Sequence, residues 1–318
     1  MIKEIPREKM SEYLSYFSDH KYFTILLEFI PFSDLGKGYT DNLDAPEVIL
    51  FTIGEGGGES YLSGDSRSMY AKELLDFIPE RNTIFITDKS WVLPFREKWE
   101  NLTFGFGVDY SSVALNLDNI RSLLKNIPYG FSLERLDKEN VNKIEENLPI
   151  HYSNIQIISK DIDEYITKRI GFCLKDNDKV VSIASSAFPF QKKLEILVET
   201  CEGYKKKGLA TIVCAKLIEY CLQNNIDPHW NTNIYNPYSM KLAKKLGFTD
   251  LKYYKIYSWS KDQSENINDL RKAFLDLIIG IDIVEGMVES INDESLQKHL
   301  QTVVNLSEKY AIMNEKVR

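Results

Sequence analysis

The chain of 318 residues has no long uninterrupted apolar run. Its most apolar stretch, near the C-terminus, is broken by Asp276 and Asp282, which excludes a membrane-spanning helix there. Histidine and cysteine are scarce, four of each, and Cys173, Cys201, Cys214 and Cys221 show neither Cys-x-x-Cys nor zinc-ligand spacing. The sequence therefore predicts no metal site and a reducing, cytoplasmic setting. His151 and His229 lack carboxylate or cysteine partners at ligand spacing and read as solvated or internally satisfied side chains. Basic tracts are absent apart from three lysines at 205–207, and the formal net charge is −8, which argues against nucleic acid as a partner. The first residues, Met-Ile-Lys-Glu-Ile-Pro, lack the apolar core of a secretory leader. Hydrophobic residues at 43% and charged residues at 27% describe a globular chain long enough for two cores.

What is present centres on the three lysines. Lys205-Lys206-Lys207-Gly208-Leu209-Ala210-Thr211 lies between a strand-like run, Leu194 to Thr200, and a helical pattern, Leu209 to Gln223. A strand that turns through glycine into a helix leaves the first helical N–H groups unpaired, beside the positive end of the helix dipole. Gly208 lets a ligand approach the backbone, the lysines add charge, and the Thr211 hydroxyl lies in the first turn. The segment suits phosphate, although a plain solvated helix start has the same composition. Next comes a strand-like run, His229 to Tyr235, and then Asn236-Pro237-Tyr238-Ser239-Met240-Lys241-Leu242-Ala243-Lys244-Lys245-Leu246-Gly247-Phe248. This reads as a helix with Pro237 at its first position and Gly247 ending it.

The lysine-glycine turn followed by Asn-x-x-Ser-x-x-Leu-x-x-Lys-Leu-Gly-Phe resembles the acyl-CoA core of the GNAT superfamily of N-acetyltransferases. The surrounding order agrees: a strand from Phe131 to Leu136, a helix capped by Asp137 and running through Asn147, a short helix from Asp161 to Lys168, and a hairpin of Gly171 to Lys175 with Val180 to Ala187. The central strand Leu194 to Thr200 and the closing strand Leu251 to Trp259 complete it. The resemblance implies an α/β fold of the α+β kind, a mixed sheet flanked by helices, over residues 131–260.

Residues 1–130 form a smaller α/β domain, with helical patterns at Lys9 to Ser18 and Lys21 to Ile30 and strands at Val48 to Ile53 and Thr83 to Thr87. The glycine run 54–58 lacks the Gly-Lys-Ser/Thr of a phosphate loop and leads into Tyr61-Leu62-Ser63, so it reads as a hairpin turn. The succession matches a shortened GNAT sheet without its phosphate turn, that is, a degenerate copy. Residues 261–318 carry two apolar stripes, Leu270 to Ile291 and Leu296 to Met313, parted by Asn292-Asp293: a helical hairpin. Packing against its own domain is the simpler role for the stripe, and a homodimer contact the sharper one.

The resemblance implies acetyl-CoA as co-substrate, with Lys205, Lys206, Lys207, Gly208, Leu209, Ala210 and Thr211 at its phosphates, Thr200 and Cys201 at the adjoining strand end, and Asn236 and Ser239 at the pantetheine arm. Asn236 is also an ordinary helix cap. Amine acylation needs a group to take the amine proton and one to protonate the leaving thiolate. Glu199, at the strand end where the family places a carboxylate, is the expected base, with Glu195 and Glu202 competing. The family's donor tyrosine position holds Ala243, so Tyr238 or Tyr235 substitutes, or the thiolate leaves unaided. Asn231 and Asn233 share one strand face, opposite Trp230, where an acceptor cleft would lie. The expected function is an N-acetyltransferase acting on a small-molecule amine. The alternative, if Ala243 marks lost turnover, is an acyl-CoA-binding regulatory or scaffolding protein.

Overall fold

The computed structural model describes residues 1–261 except 21–23, 55–56, 101, 145–146 and 235. The helical hairpin expected beyond residue 261, and the dimer contact read from its stripe, lie outside the described residues. The N-terminal half contributes strands β1 Lys3–Glu4, β2 Gly36–Thr40, β3 Val48–Ile53, β4 Glu59–Gly64, β5 Thr83–Ile86 and β6 Leu102–Ser111. Its helices are α1 Thr24–Phe29, α2 Ala71–Leu74, α3 Val92–Lys98 and α4 Leu117–Leu124. The C-terminal half contributes β7 Phe131–Arg135, β8 Gly171–Asp176, β9 Lys179–Phe190, β10 Lys193–Thr200, β11 Asp227–Asn233 and β12 Thr249–Trp259. Its helices are α5 Lys138–Asn142, α6 Pro149–Ile158, α7 Ile162–Lys168, α8 Leu209–Gln223 and α9 Pro237–Leu246. Among the described residues no helix is long and apolar enough to cross a membrane.

All twelve described strands join one sheet, in the order β1-β2-β3-β4-β5-β12-β6-β11-β10-β9-β8-β7. The order is symmetric about the β12/β6 pair. Each half has three antiparallel pairings and one parallel pairing, β4·β5 in the first and β10·β11 in the second. The last strand of each half then crosses over: β6 pairs with β11, and β12 pairs with β5. The sheet therefore crosses the boundary expected at 130/131 through both exchanged strands. The glycine run 54–58 connects antiparallel β3 and β4.

Local sequence explains the helices that carry the site. Asp137 and Asp161 accept the N–H groups of Asn140 and Glu164 as caps for α5 and α7. Buried Leu209, Ile212, Val213, Leu217 and Ile218 hold α8 against β8 to β11. Cys214 and Cys221 belong to the same buried face. The two sheet faces are covered differently. Tyr220 of α8 meets Phe172 of β8 on one face, whereas His151 of α6 bonds Ser185 of β9 on the other. Helix α1, from the N-terminal half, packs on β9 and β10, with Glu28 3.3 Å from Lys193.

At the seam, Tyr254 of β12 lies directly over Gly107 of β6, where a Cβ would stand 2.1 Å from the phenol ring. Gly107→Ala is therefore expected to cost about 1–3 kcal/mol through overpacking. In a Tyr254→Ala background the same change should cost little. Denaturant unfolding of the four members of this cycle tests it, and equal costs in both backgrounds would contradict the close contact.

Candidate active site

Strands β10 and β11 pair in parallel only from Lys193↔Asp227 to Glu195↔His229. Beyond that point β10 continues to Thr200 along β9, and β11 continues to Asn233 along β6. The two strands thus separate and leave a gap in the sheet. Glu195 is the last residue of β10 paired with β11, and a register shift against β9 between Leu194 and Ile196 falls at the same residue.

On the α8 face the gap meets the turn predicted for phosphate. Gly208 caps α8 with φ +81°, a left-handed conformation that favours glycine, and open space lies where a Cβ would be. No side chain caps the helix, so the first N–H groups remain available to a ligand. Lys205 pairs with Glu202, and Lys207 stands 4.8 Å above the Tyr204 ring, whose hydroxyl donates to Asp176 at 2.8 Å. Lys206 adopts φ +64°, and Thr211 is buried in the first turn. Asn236 caps α9 by accepting the Ser239 N–H at 3.1 Å, while the Ser239 hydroxyl accepts the Trp230 indole N–H at 3.1 Å. Thr200 bonds Ser182 at 2.7 Å, and the Cys201 thiol donates to the Asn147 carbonyl at 3.2 Å, so both fasten the end of β10.

The three carboxylates named as bases occupy different environments. Glu199 accepts the N–H groups of His151 at 2.6 Å and Ile150 at 3.4 Å, capping α6. Burial still holds its carboxyl above the ordinary range. Glu202 is exposed beside Lys205. Glu195 is 6% exposed and accepts the Asn231 main-chain N–H. Burial first, then the negative charges of Asp109 and Glu59, push its carboxyl well above the ordinary glutamate range.

Asp109 and Glu59 come from the N-terminal half and escaped the sequence reading. Cross-strand partners share a face, and Lys252↔Asp109↔Asn231 and Tyr254↔Gly107↔Asn233 place Asp109, Asn231, Asn233 and Tyr254 together. Trp230 points the other way, its ring packing on Phe248. Burial raises the Asp109 carboxyl, which His229 and Lys252 partly offset, and burial pushes Glu59 up to about 8. An aromatic row, Tyr61 stacked on Phe85 at 4.7 Å and Phe85 on Tyr254 at 6.1 Å, flanks the cluster. The gap therefore has the uncapped start of α8 on one face, and on the other carboxyls raised by burial beside aromatic walls.

Ala243 is fully buried, so a tyrosine in its place would have no room without displacing α9. Tyr238 is 55% exposed in the first turn of α9. Tyr235 lies outside the described residues. His151 is buried, its Nε2 2.8 Å from the Ser185 hydroxyl, and burial lowers its pKa to about 3. His229 bonds Asp227 at 3.1 Å. Among the described residues no group of histidine, cysteine and acidic side chains could hold a metal ion. In the N-terminal half, β4 and β5 stay paired from Glu59↔Thr83 to Leu62↔Ile86, the whole of β5, so no equivalent gap opens there.

A model of the GNAT acetyltransferase family matches residues 15–257, most of the chain. The chain is 26% identical over 275 residues to the uncharacterized N-acetyltransferase YdfB of Bacillus subtilis (strain 168), covering 81% of this chain and 98% of that protein. The solved structure of a GCN5-related N-acetyltransferase-like protein from Streptococcus suis 89/1591 superposes with a TM-score of 0.66 at 22% identity, over 79% of this chain and 98% of that one. A tandem GNAT protein from the clavulanic acid biosynthesis pathway gives a TM-score of 0.52 at 10% identity, over 81% and 98% of the two chains. These two likenesses show the fold.

Between the ordinary glutamate pKa of 4.5 and about 8, the folded chain holds a proton on Glu59 that the unfolded chain has released. Stability should therefore fall as pH rises across that window. Glu59→Gln, a neutral isostere of the protonated form, should melt above the wild type by a margin that grows from about pH 5 to about pH 8. A margin that does not change with pH would refute the raised Glu59 carboxyl.

Proposed function

The chain belongs to the GNAT acetyltransferase family and is an acyltransferase, and on that premise we propose that it moves the acetyl group of acetyl-CoA to an amine on a cationic small molecule. The observation that carries the proposal is the gap between β10 and β11, with the Gly208 turn at one mouth and Glu195 at the other. The turn fits a pyrophosphate: it offers open space, main-chain N–H groups of Leu209, Ala210 and Thr211, and a lysine charge. Thr200, Cys201, Asn236 and Ser239 frame it mainly by fixing the strand end and the start of α9. Bound acetyl-CoA supplies an activated thioester.

Glu195 is the base. As the amine nitrogen bonds to the acyl carbon and the carbon–sulfur bond breaks, the proton of the amine passes to this carboxylate. Burial makes the ionised form of this carboxyl a stronger proton acceptor than an exposed carboxylate, and turnover rises with pH as the group gives up its proton. Glu199, expected from its strand-end position, is engaged in capping α6, and Glu202 is exposed beside Lys205. Tyr238 is the tyrosine nearest in sequence to Ala243, the position of the missing family tyrosine, and is assigned as donor to the departing thiolate. Asp109 and Glu59 give the acceptor face a negative potential, with Asn231 and Asn233 beside it, which supports a di- or polyamine over a neutral amine. In this reading residues 1–130, a degenerate GNAT copy, serve acceptor recognition. Four buried free cysteines suit the reducing cytoplasm.

Calorimetry with CoA should show binding to wild type weakened by about 2 kcal/mol or more in Gly208→Glu, which sets charge and backbone strain against the pyrophosphate. Unchanged affinity would remove the turn from the site.

Free-thiol release from acetyl-CoA, assayed against mono-, di- and polyamines, tests the reaction. Glu195→Gln should lower turnover about 100-fold and abolish the rising limb of its pH profile, whereas Glu199→Gln should act mainly on melting temperature. CoA binding with no turnover on any amine would leave an acyl-CoA-binding module instead.

A further inference from the structure

A cavity of about 130 Å³ lies where the two halves meet on the α1 side, between residues 29–35 and the segment 159–169 that carries α7. Three cations, Lys160, Lys168 and Arg169, line it against two carboxylates, Asp34 and Glu164. Both carboxylates are already turned to cations: Asp34 is 2.7 Å from Arg7, and Glu164 is 2.7 Å from Lys168. Arg169 is only 6% exposed, and its guanidinium lies 4.9 Å above the Phe29 ring. Burial lowers its pKa to about 10, which leaves it charged at neutral pH.

The independent sign of a ligand is Ser159. This side chain is 4% exposed, lines the cavity, and its hydroxyl has no hydrogen-bond partner among the described residues. A buried hydroxyl without a partner costs free energy that a ligand acceptor atom can recover. The charge excess fixes the sign of that ligand, and a planar guanidinium beside a hydroxyl matches the oxygens of a carboxylate or phosphate.

We propose that this cavity is a binding site for a small oxyanion, a carboxylate or a phosphate, separate from the turn before α8. Its oxygens accept from the Arg169 guanidinium and from the Ser159 hydroxyl, both of the C-terminal half, and residues 29–35 of the N-terminal half wall the ligand in. The site stands independently of the transferase reading, because none of its residues belongs to the gap between β10 and β11.

The test is calorimetric titration of the full chain with inorganic phosphate and with butyrate, each against sodium chloride at equal ionic strength. The series is repeated in Gly208→Glu, which removes the turn before α8 as a competing phosphate site. Saturable binding of one anion that persists in Gly208→Glu is expected, and whichever anion binds more tightly identifies the class. Ser159→Ala should weaken that binding about tenfold or more, the loss of one hydrogen bond to a charged group. The same variant without ligand should melt no lower than wild type, because the deleted hydroxyl had no partner. Arg169→Met, checked for folding by circular dichroism, should abolish binding; if it does not fold, Ser159→Ala decides. No saturation beyond chloride, loss of all binding in Gly208→Glu, or unchanged affinity in Ser159→Ala would overturn the site.

Discussion

The hydrogen bonds between β11 and β6 make the rest possible. Two parallel strands that part after three paired residues leave N–H and C=O groups facing a gap, an arrangement a sheet ordinarily avoids. Strand β11 tolerates it because its other edge is bonded to β6 from Trp230 to Asn233. That strand arrives from the other half of the chain. The N-terminal half has the same pairing pattern but keeps its parallel strands together, and with them its closed surface. One half of the sheet is open because the other half braces it.

Local patterns in the sequence carried the elements of the C-terminal half. The apolar run at Leu194, the glycine at 208 and the Asn236-Pro237 start each specify structure within a few residues, and β10, α8 and α9 follow them closely. Helices α4 and α6 were not legible. The first is short, and the second begins Pro149-Ile150-His151 with apolar residues too evenly spread to set a period. What separates the candidate carboxylates was less legible still. Strand alternation treats Glu195 and Glu199 as equivalent. Only the position of the strand separation and the approach of α6 tell them apart, and both are tertiary facts. Asp109 and Glu59 were invisible for the same reason, since no local pattern announces that β6 will lie beside β11.

Gathering Glu59, Asp109 and Glu195 in a poorly solvated region raises the free energy of every ionised form, so the cluster is a liability for stability. An aromatic row beside carboxylates accommodates a cation on both counts, through charge and through the ring faces. The fold tolerates the liability because the residues sit on strands anchored by extensive pairing, where the backbone cannot relax to separate them.

The strand exchange also bears on how the chain reaches this state. Thr103 and Ser258 bond across 155 residues of sequence, and β6 has no sheet neighbour until β11 has been synthesised and lacks its second until β12 follows. Loop-closure entropy must be met before these contacts form, which places the molecule among slow-folding, high-contact-order topologies. During synthesis β6 is an unpaired edge, and its glycines at 105 and 107 and its acidic Asp109 are features that discourage pairing with another chain. The strand that braces the open site is thus also the one that must wait longest for a partner.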